Sequence, residues 1–220
     1  MPVKTESCYR KDIVEVGKRL YAKGLLEGGG GNMSIRIAEN EVLITPSGMC
    51  KGVLEPDQLV KIDLEGKVIA ALKEYSKPSR DYRMHLGLYK RRTDIKAIVH
   101  SHPPVATGFA IAEYPLDEIA APEVMFTFNH IAVTEYALPT TEEVPVAINK
   151  ALDMYPMANA IILAKHGAIT VGGDLWDAYY KMETLEAYLK SLVVAKLMGG
   201  FKPLSPEQIG KIEALMGVKY

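Results

Sequence analysis

The sequence predicts an α/β fold of α+β character: a single domain, residues 1–220, in which helices flank one central β-sheet of mixed but mostly antiparallel strands. Three observations lead there. Two stretches with helical spacing of apolar residues, 6–23 and 174–197, bracket a middle that carries several short apolar runs of strand length. Two pairs of those runs are joined by turn-forming residues and form hairpins, which makes the pairing mostly antiparallel. The 220 residues hold no internal repeat and no low-complexity linker, so one substantial core suffices.

In the first helix Ile13, Val16 and Leu20 share a face, and Gly24 sits where a helix stops. The run Glu27-Gly28-Gly29-Gly30-Gly31-Asn32 suits neither helix nor strand. It feeds a strand in which Met33, Ile35 and Ile37 alternate. Residues 41–45 are the hairpin partner and end in Pro46-Ser47-Gly48, a turn by composition. Residues 60–64 and 67–70, separated by Glu65-Gly66, make a second hairpin. At Lys77-Pro78-Ser79-Arg80-Asp81 the pattern switches to helix, with Ser79 as expected N-cap, Asp81 in the first turn, and Tyr82, His85, Leu86 and Tyr89 along one face. Residues 97–99 are a short buried strand; Pro103-Pro104 ends it and begins a helix to Ala112. Between 116 and 137 the pattern yields only a strand at 130–134. A helix over 141–152 and an apolar strand over 160–165 follow, with 168–171 as its continuation or partner. The helix at 174–197 lines up Leu175, Ala178, Met182, Leu185, Leu189 and Leu192 and stops at Gly199-Gly200. Ser205-Pro206-Glu207-Gln208 opens a last helix with a capping box.

Composition narrows the function. Hydrophobic residues make up 48% and charged residues 24%, which excludes disordered and fibrous classes. A formal net charge of -1 argues against a nucleic-acid surface and means that any anionic substrate is held locally. Cys8 and Cys50 lack metal or redox spacing, which fits a reducing compartment without disulfides. With no apolar run of membrane-span length and no signal-peptide core, the expectation is a cytoplasmic protein with no membrane partner.

The chemistry centres on Ile98-Val99-His100-Ser101-His102-Pro103. Side chains two apart on a strand point the same way, so a pair of imidazoles converges at a strand end, and imidazole is the commonest metal ligand. His166 is the candidate third ligand: it too follows an apolar strand, and Gly167 lets the chain turn close to whatever it holds. Three neutral imidazoles with an open fourth position describe a catalytic zinc site. His85 and His130 are spares; His85, four residues beyond Asp81 on one helical face, fits a packing or capping role better than a ligand role. For anion binding, Gly28 to Gly31 offers consecutive N–H groups, Asn32 an amide, and Ser47-Gly48 and Ser79 further donors. Each taken singly is an ordinary turn. Asp81 complements a helix dipole or, near a metal, serves as ligand or general base.

Five motifs, Gly31-Asn32-Met33-Ser34, Ile44-Thr45-Pro46-Ser47-Gly48, Lys77-Pro78-Ser79-Arg80-Asp81, Ile98-Val99-His100-Ser101-His102 and Lys165-His166-Gly167, together resemble the class II aldolase/adducin family, in its order and at close to its intervals. The sequence is most similar to the L-fuculose-phosphate aldolase and L-ribulose-5-phosphate 4-epimerase branch, from the first helix to the one starting at Asp174. The resemblance implies Zn2+ on His100, His102 and His166. It makes Asp81 the catalytic carboxylate, able to contact the metal at rest, and Gly31, Asn32, Ser47, Gly48 and Ser79 a sugar-phosphate cradle. It also implies a homotetramer with active sites near subunit interfaces.

Two departures from the family pattern bear on substrate. The aldolases carry glutamate where this chain has Asp81, and the epimerases aspartate; one methylene moves a carboxylate by about 1.5 Å. Arg80 beside the phosphate serine adds a permanent charge and a bidentate contact. No motif matches the family's tyrosine acid, for which Glu123, Tyr136 and Tyr220 are the candidates. The leading expectation is therefore a zinc-dependent aldolase that splits a deoxyketose 1-phosphate, such as L-fuculose 1-phosphate, into dihydroxyacetone phosphate and an aldehyde such as lactaldehyde. The rivals are a ketopentose-phosphate 4-epimerase, another lyase of the family such as a decarboxylase, and a metal-free scaffold of adducin type.

Overall fold

A computed structural model describes residues 4–75 and 77–217. Helix α1 (Glu6–Ala22) is capped by Thr5 and leads through the glycine run to strands β1 (Asn32–Ala38) and β2 (Glu41–Ile44), then to β3 (Val60–Ile62) and β4 (Val68–Ala70). Helix α2 (Tyr82–Arg91) precedes β5 (Ala97–Ser101), followed by α3 (Pro104–Ala112), α4 (Pro122–Phe128), β6 (Ile131–Val133) and α5 (Glu143–Met154). The hairpin of β7 (Ala160–Leu163) and β8 (Gly167–Gly172) gives way to the long α6 (Leu175–Leu197) and to α7 (Pro206–Met216).

The eight strands among the described residues join in one sheet, in the order β4-β3-β2-β1-β5-β8-β7-β6. Every pairing is antiparallel except β6 with β7, where the crossover through α5 brings the chain back in the same direction. Helices cover both faces. One core joins Met33, Ile35, Ala97 and Val99 to residues of α1, α3, α4 and α6, and the other joins Val42, Ile44, Ile98 and Ile169 to α2 and α5. Neighbouring residues of β5 thus enter opposite cores, which is why β5, β7 and β8 are buried along their length and show no polar alternation.

The expected elements are present, with differences at particular points. Residues 168–171 belong to the antiparallel partner of β7, because Lys165 takes a left-handed conformation (φ 58°) and reverses the chain within three residues. Ser79 is not the cap of α2: that position falls on Asp81, and Ser79 forms the turn before it. Helix α4 is absent from the sequence reading, although Pro122 stands at its start; two turns are too short for periodicity to show.

Helix α6 packs Leu175, Ala178, Tyr179, Met182, Leu185, Tyr188, Leu189 and Leu192 against the sheet at helical spacing. Its Glu186 also accepts from the backbone N–H groups of Val105 and Ala106, both at 2.9 Å, and so caps α3 just behind His102, where Pro103 has no side chain able to do so. Leu189→Ala, at zero exposure, is expected to lower stability by about 2–5 kcal/mol in urea unfolding. Leu215→Ala, 78% exposed on α7, is expected to change it by less than about 0.5 kcal/mol.

Candidate metal centre and active site

The three histidines come together from two places in the sheet. His100 lies on β5 on the same side as Ile98 and has zero exposure; His102 stands one residue beyond the strand; His166 tops the hairpin between β7 and β8. One ligand nitrogen from each lies within 4.8 Å of the others, and the three ring centroids are 4.8–5.1 Å apart. Nε2 of His100 and Nε2 of His102 are 3.2 Å apart. Two nitrogens on a tetrahedral zinc are separated by about 3.3 Å, so the spacing fits a shared cation.

The opposite ring nitrogens show why these rings hold that orientation. His100 Nδ1 donates to the carbonyl of Ala168 at 3.0 Å, and His102 Nδ1 lies 2.8 Å from Glu27 Oε1. With both Nδ1 protons directed outward, the Nε2 lone pairs face inward, as metal-ligating imidazoles require. Burial drives the His100 pKa well below the usual imidazole value, with its two neighbours adding to the effect. Burial and His102 lower that of His166, against the opposing charge of Asp81. Neutral imidazole is the form that binds a metal. Close packing fixes the flanking glycines: a Cβ on Gly167 would sit 2.6 Å from His102 Cδ2, and one on Gly31, at φ +63°, would meet Leu26 Cδ2 and lie 2.7 Å from His100 O.

Asp81 lies outside the close group formed by the three imidazoles among the described residues. Its Oδ2 accepts from Asn32 Nδ2 at 2.9 Å, and Asn32 is the residue opposite His100 in the β1–β5 ladder. Asn32 Oδ1 is in turn 2.5 Å from His85 Nε2. Asn32 therefore serves the carboxylate first, and His85 is bound into a polar network rather than spare. Burial lowers the His85 pKa to about 3. His130 stacks on Tyr155 with ring centroids 4.3 Å apart, and burial lowers its pKa to about 4.

The two turns expected to hold phosphate are strapped together. Pro46 and Pro78 form an antiparallel bridge, Ser47 N–H donates to Lys77 O, and Ser79 N–H to Thr45 O, both at 3.0 Å. Gly48 lies against Gly29, so the glycine run adjoins this pair of turns. Gly30 N–H closes a turn onto Glu27 O, so the run does not present an unbroken row of free donors. Ser79 is buried, Ser47 half-buried, and Gly48 and Arg80 are exposed at the rim.

Two residues of the site carry little sequence signal. Glu27, which orients His102, is marked only by its position directly before the glycines. Lys51 resembles any surface lysine in its local sequence, yet it is 2% exposed and donates to Gly29 O at 2.6 Å. Burial lowers its pKa, while Cys50, Asp81 and Glu27 pull the other way. Of the acid candidates, Glu123 is exposed on α4 on the far side of the sheet, Tyr136 is 55% exposed after β6, and Tyr220 lies outside the described residues.

Glu27→Gln is expected to weaken divalent-metal binding by about 10–100-fold in a competition titration against a chelator. A second expectation concerns acid. Folded-state pKa values of about 3 for His85 and about 4 for His130 lie below the unfolded value, so the unfolded chain binds more protons. The contribution of these two groups is complete above about pH 6.5 and is lost as the pH falls to about 4 for His130 and about 3 for His85, by up to about 1.4 kcal/mol per unit for each. Urea unfolding at pH 7, 5.5 and 4.5 should show that slope, and His85→Gln should lessen it by about one proton.

Residues 11–193 match the family model described as "Class II Aldolase and Adducin N-terminal domain". A 3-oxo-tetronate 4-phosphate decarboxylase of Haemophilus influenzae is 32% identical over 192 residues, covering 84% of this chain and 87% of that protein. An L-fuculose phosphate aldolase of Methanococcus vannielii is 31% identical over 180 residues, covering 82% and 93%. Among solved structures, an L-fuculose 1-phosphate aldolase superposes with a TM-score of 0.87 at 28% identity, covering 99% of this chain and 100% of that one. Agreement on this scale, in family model, sequence and fold, makes the chain a member of the class II aldolase and adducin family and one of its metal-dependent lyases.

Proposed function

We propose that this protein is a zinc-dependent aldolase that cleaves a ketose 1-phosphate of the L-fuculose 1-phosphate kind into dihydroxyacetone phosphate and an aldehyde such as lactaldehyde. The observation that carries the reading is a half-buried carboxylate, Asp81, tied through Asn32 to the strand that bears His100. A divalent cation on His100, His102 and His166 would supply Lewis-acid polarisation of the substrate's carbonyl and adjacent hydroxyl. Asp81 takes the proton from the hydroxyl next to the bond that breaks. Its Oδ2 is occupied by Asn32, which leaves Oδ1 for that proton. Gly31, Ser47, Gly48, Ser79 and Arg80 hold the phosphate at the strapped turns, with the Lys51 ammonium behind them, so that binding energy orients the reacting carbon.

Decarboxylation is the second reading, favoured by the decarboxylase relative at 32% identity. A ketose 1-phosphate and a 3-oxo-tetronate 4-phosphate share one half, a phosphorylated methylene, a ketone and a hydroxymethine. They differ in what departs, an aldehyde or carbon dioxide. Only departure of the aldehyde releases a hydroxyl proton, so a carboxylate base at Asp81 supports the aldol reaction. The homotetramer belongs to the same proposal: Tyr136, Leu138 and Val146, 55%, 50% and 66% exposed, offer apolar surface close to the small cleft at His166.

Purified enzyme should release dihydroxyacetone phosphate and an equal amount of aldehyde from L-fuculose 1-phosphate. Carbon dioxide from the oxo acid with no aldol cleavage, or interconversion of pentulose phosphates without a three-carbon product, would overturn the assignment. Chelation should abolish activity and zinc restore it. Asp81→Asn should lower kcat by about 10²–10⁴-fold with metal content unchanged.

A further inference from the structure

Four buried side chains from two elements form one line that ends on the half-buried Asp81. Asn32 and Ser34 project from the same face of β1, and His85 and Tyr89 from successive turns of α2; Asp81 ends the line at the start of that helix. The hydrogen bonds run Tyr89 Oη to Ser34 Oγ at 2.8 Å, Ser34 Oγ to His85 Nδ1 at 2.7 Å, His85 Nε2 to Asn32 Oδ1 at 2.5 Å, and Asn32 Nδ2 to Asp81 Oδ2 at 2.9 Å. Ser34, His85 and Tyr89 have zero exposure and Asn32 2%.

The direction of every proton follows from the carboxylate. An ionised carboxylate only accepts, so the amide nitrogen of Asn32 faces Asp81 and its oxygen faces His85. That oxygen also only accepts, so Nε2 of His85 carries the ring proton and Nδ1 is bare. Ser34 then donates to Nδ1 and accepts from Tyr89. All four donors point toward Asp81, an arrangement in which each bond polarises the next.

We infer that His85 is a positioning residue for Asp81: as a neutral Nε2–H tautomer it locks the amide of Asn32 in the one orientation that presents a donor to the carboxylate. An asparagine amide is nearly isosteric with its flipped form, and the flip would set Oδ1 against the carboxylate and lose the donor. The carboxylate disfavours that flip from one side, and His85 opposes it from the other, because an Nε2–H donor needs the amide oxygen and not the amide nitrogen before it. Its burial, which keeps the ring neutral, is in keeping with this. The inference rests on the reading of Asp81 as the base; His85 itself touches no substrate.

Three variants and one spectroscopic measurement test it. In His85→Leu the amide loses the partner that holds its oxygen and keeps only Asp81, and kcat should fall by about 100-fold while metal content is unchanged. KM should stay within about twofold. In His85→Gln the side-chain amide can donate to Asn32 and accept from Ser34, and kcat should recover to within about fivefold of wild type. In an Asp81→Asn background, His85→Leu should cost nothing further, since its effect passes through Asp81. Losses that multiply in the double variant, or a His85→Gln no better than His85→Leu, would mean a general packing role and overturn the inference. Nitrogen NMR of His85 in the metal-loaded wild type reads the tautomer without any assay. A single Nε2–H form from pH 5 to 8 is expected, and an Nδ1–H form or a mixture would overturn it even if His85→Leu does not fold. Should the wild type cleave none of the sugar phosphates, the aldolase assignment falls, and the NMR result still decides the positioning claim.

Discussion

Three imidazoles must share one small volume with ring nitrogens facing each other, and the surrounding structure is arranged to make that tolerable. Left to water, each ring would rotate away or take a proton. Here rotation is blocked at His100 by the Ala168 carbonyl and at His102 by Glu27, and protonation of His100 and His166 is opposed by burial. Burial of His100 in turn depends on the sheet being covered on both faces, because an antiparallel sheet with one wet face would leave this end of β5 in solvent. The architecture is therefore part of the ligand set's chemistry, since a metal binds the deprotonated form that the architecture enforces.

The same constraint reaches the loops. A glycine at 31 permits the approach of Leu26 and the His100 carbonyl, and a glycine at 167 permits the approach of the His102 ring, so both are needed for packing around the ligands whatever they do for substrate. The bridge between Pro46 and Pro78 then carries the order outward, tying the turn after β2 to the segment that delivers Asp81. Within that frame Lys51 is a buried ammonium whose direct hydrogen bond is to a neutral carbonyl, with Asp81 and Glu27 as its neighbouring charges.

Elements with a long or regular pattern were legible in the sequence: α6 through its 3-4 spacing, α7 through its capping box, β1 and β2 through alternation ended by a turn. The histidine group was legible because a period of two on a strand is stereochemistry rather than statistics, although the strand stops one residue short of His102. What escaped depends on tertiary neighbours. Helix α4 is too short for its own period, the cap of α2 is set by the strapped turns, and Lys51 and Glu27 draw their importance from glycines and histidines distant in sequence. His85 shows the limit most clearly. Its helical position suggested packing, and it is packed, but its two polar partners lie on a strand more than fifty residues earlier.

Strand β1 carries the clearest conflict between stability and function. Met33 and Ile35 fill one core, while Asn32 and Ser34 place polar groups at essentially zero exposure on the other face, where apolar side chains would pack without any hydrogen-bonding demand. Buried polar groups are tolerable only when all are satisfied, and none of the buried side-chain atoms lacking a partner among the described residues belongs to this line. Asp81 repeats the pattern at the helix start. An aspartate in the N-cap position ordinarily bonds the first free N–H groups of its own helix, worth about 1 kcal/mol, yet the Asp81 side chain makes no such bond and turns instead to Asn32. A carboxylate diverted from the helix it begins and held by a polar strand face is the arrangement that the proposed role of Asp81 as base calls for: one oxygen bound to Asn32 and the other left for a proton that arrives with the substrate.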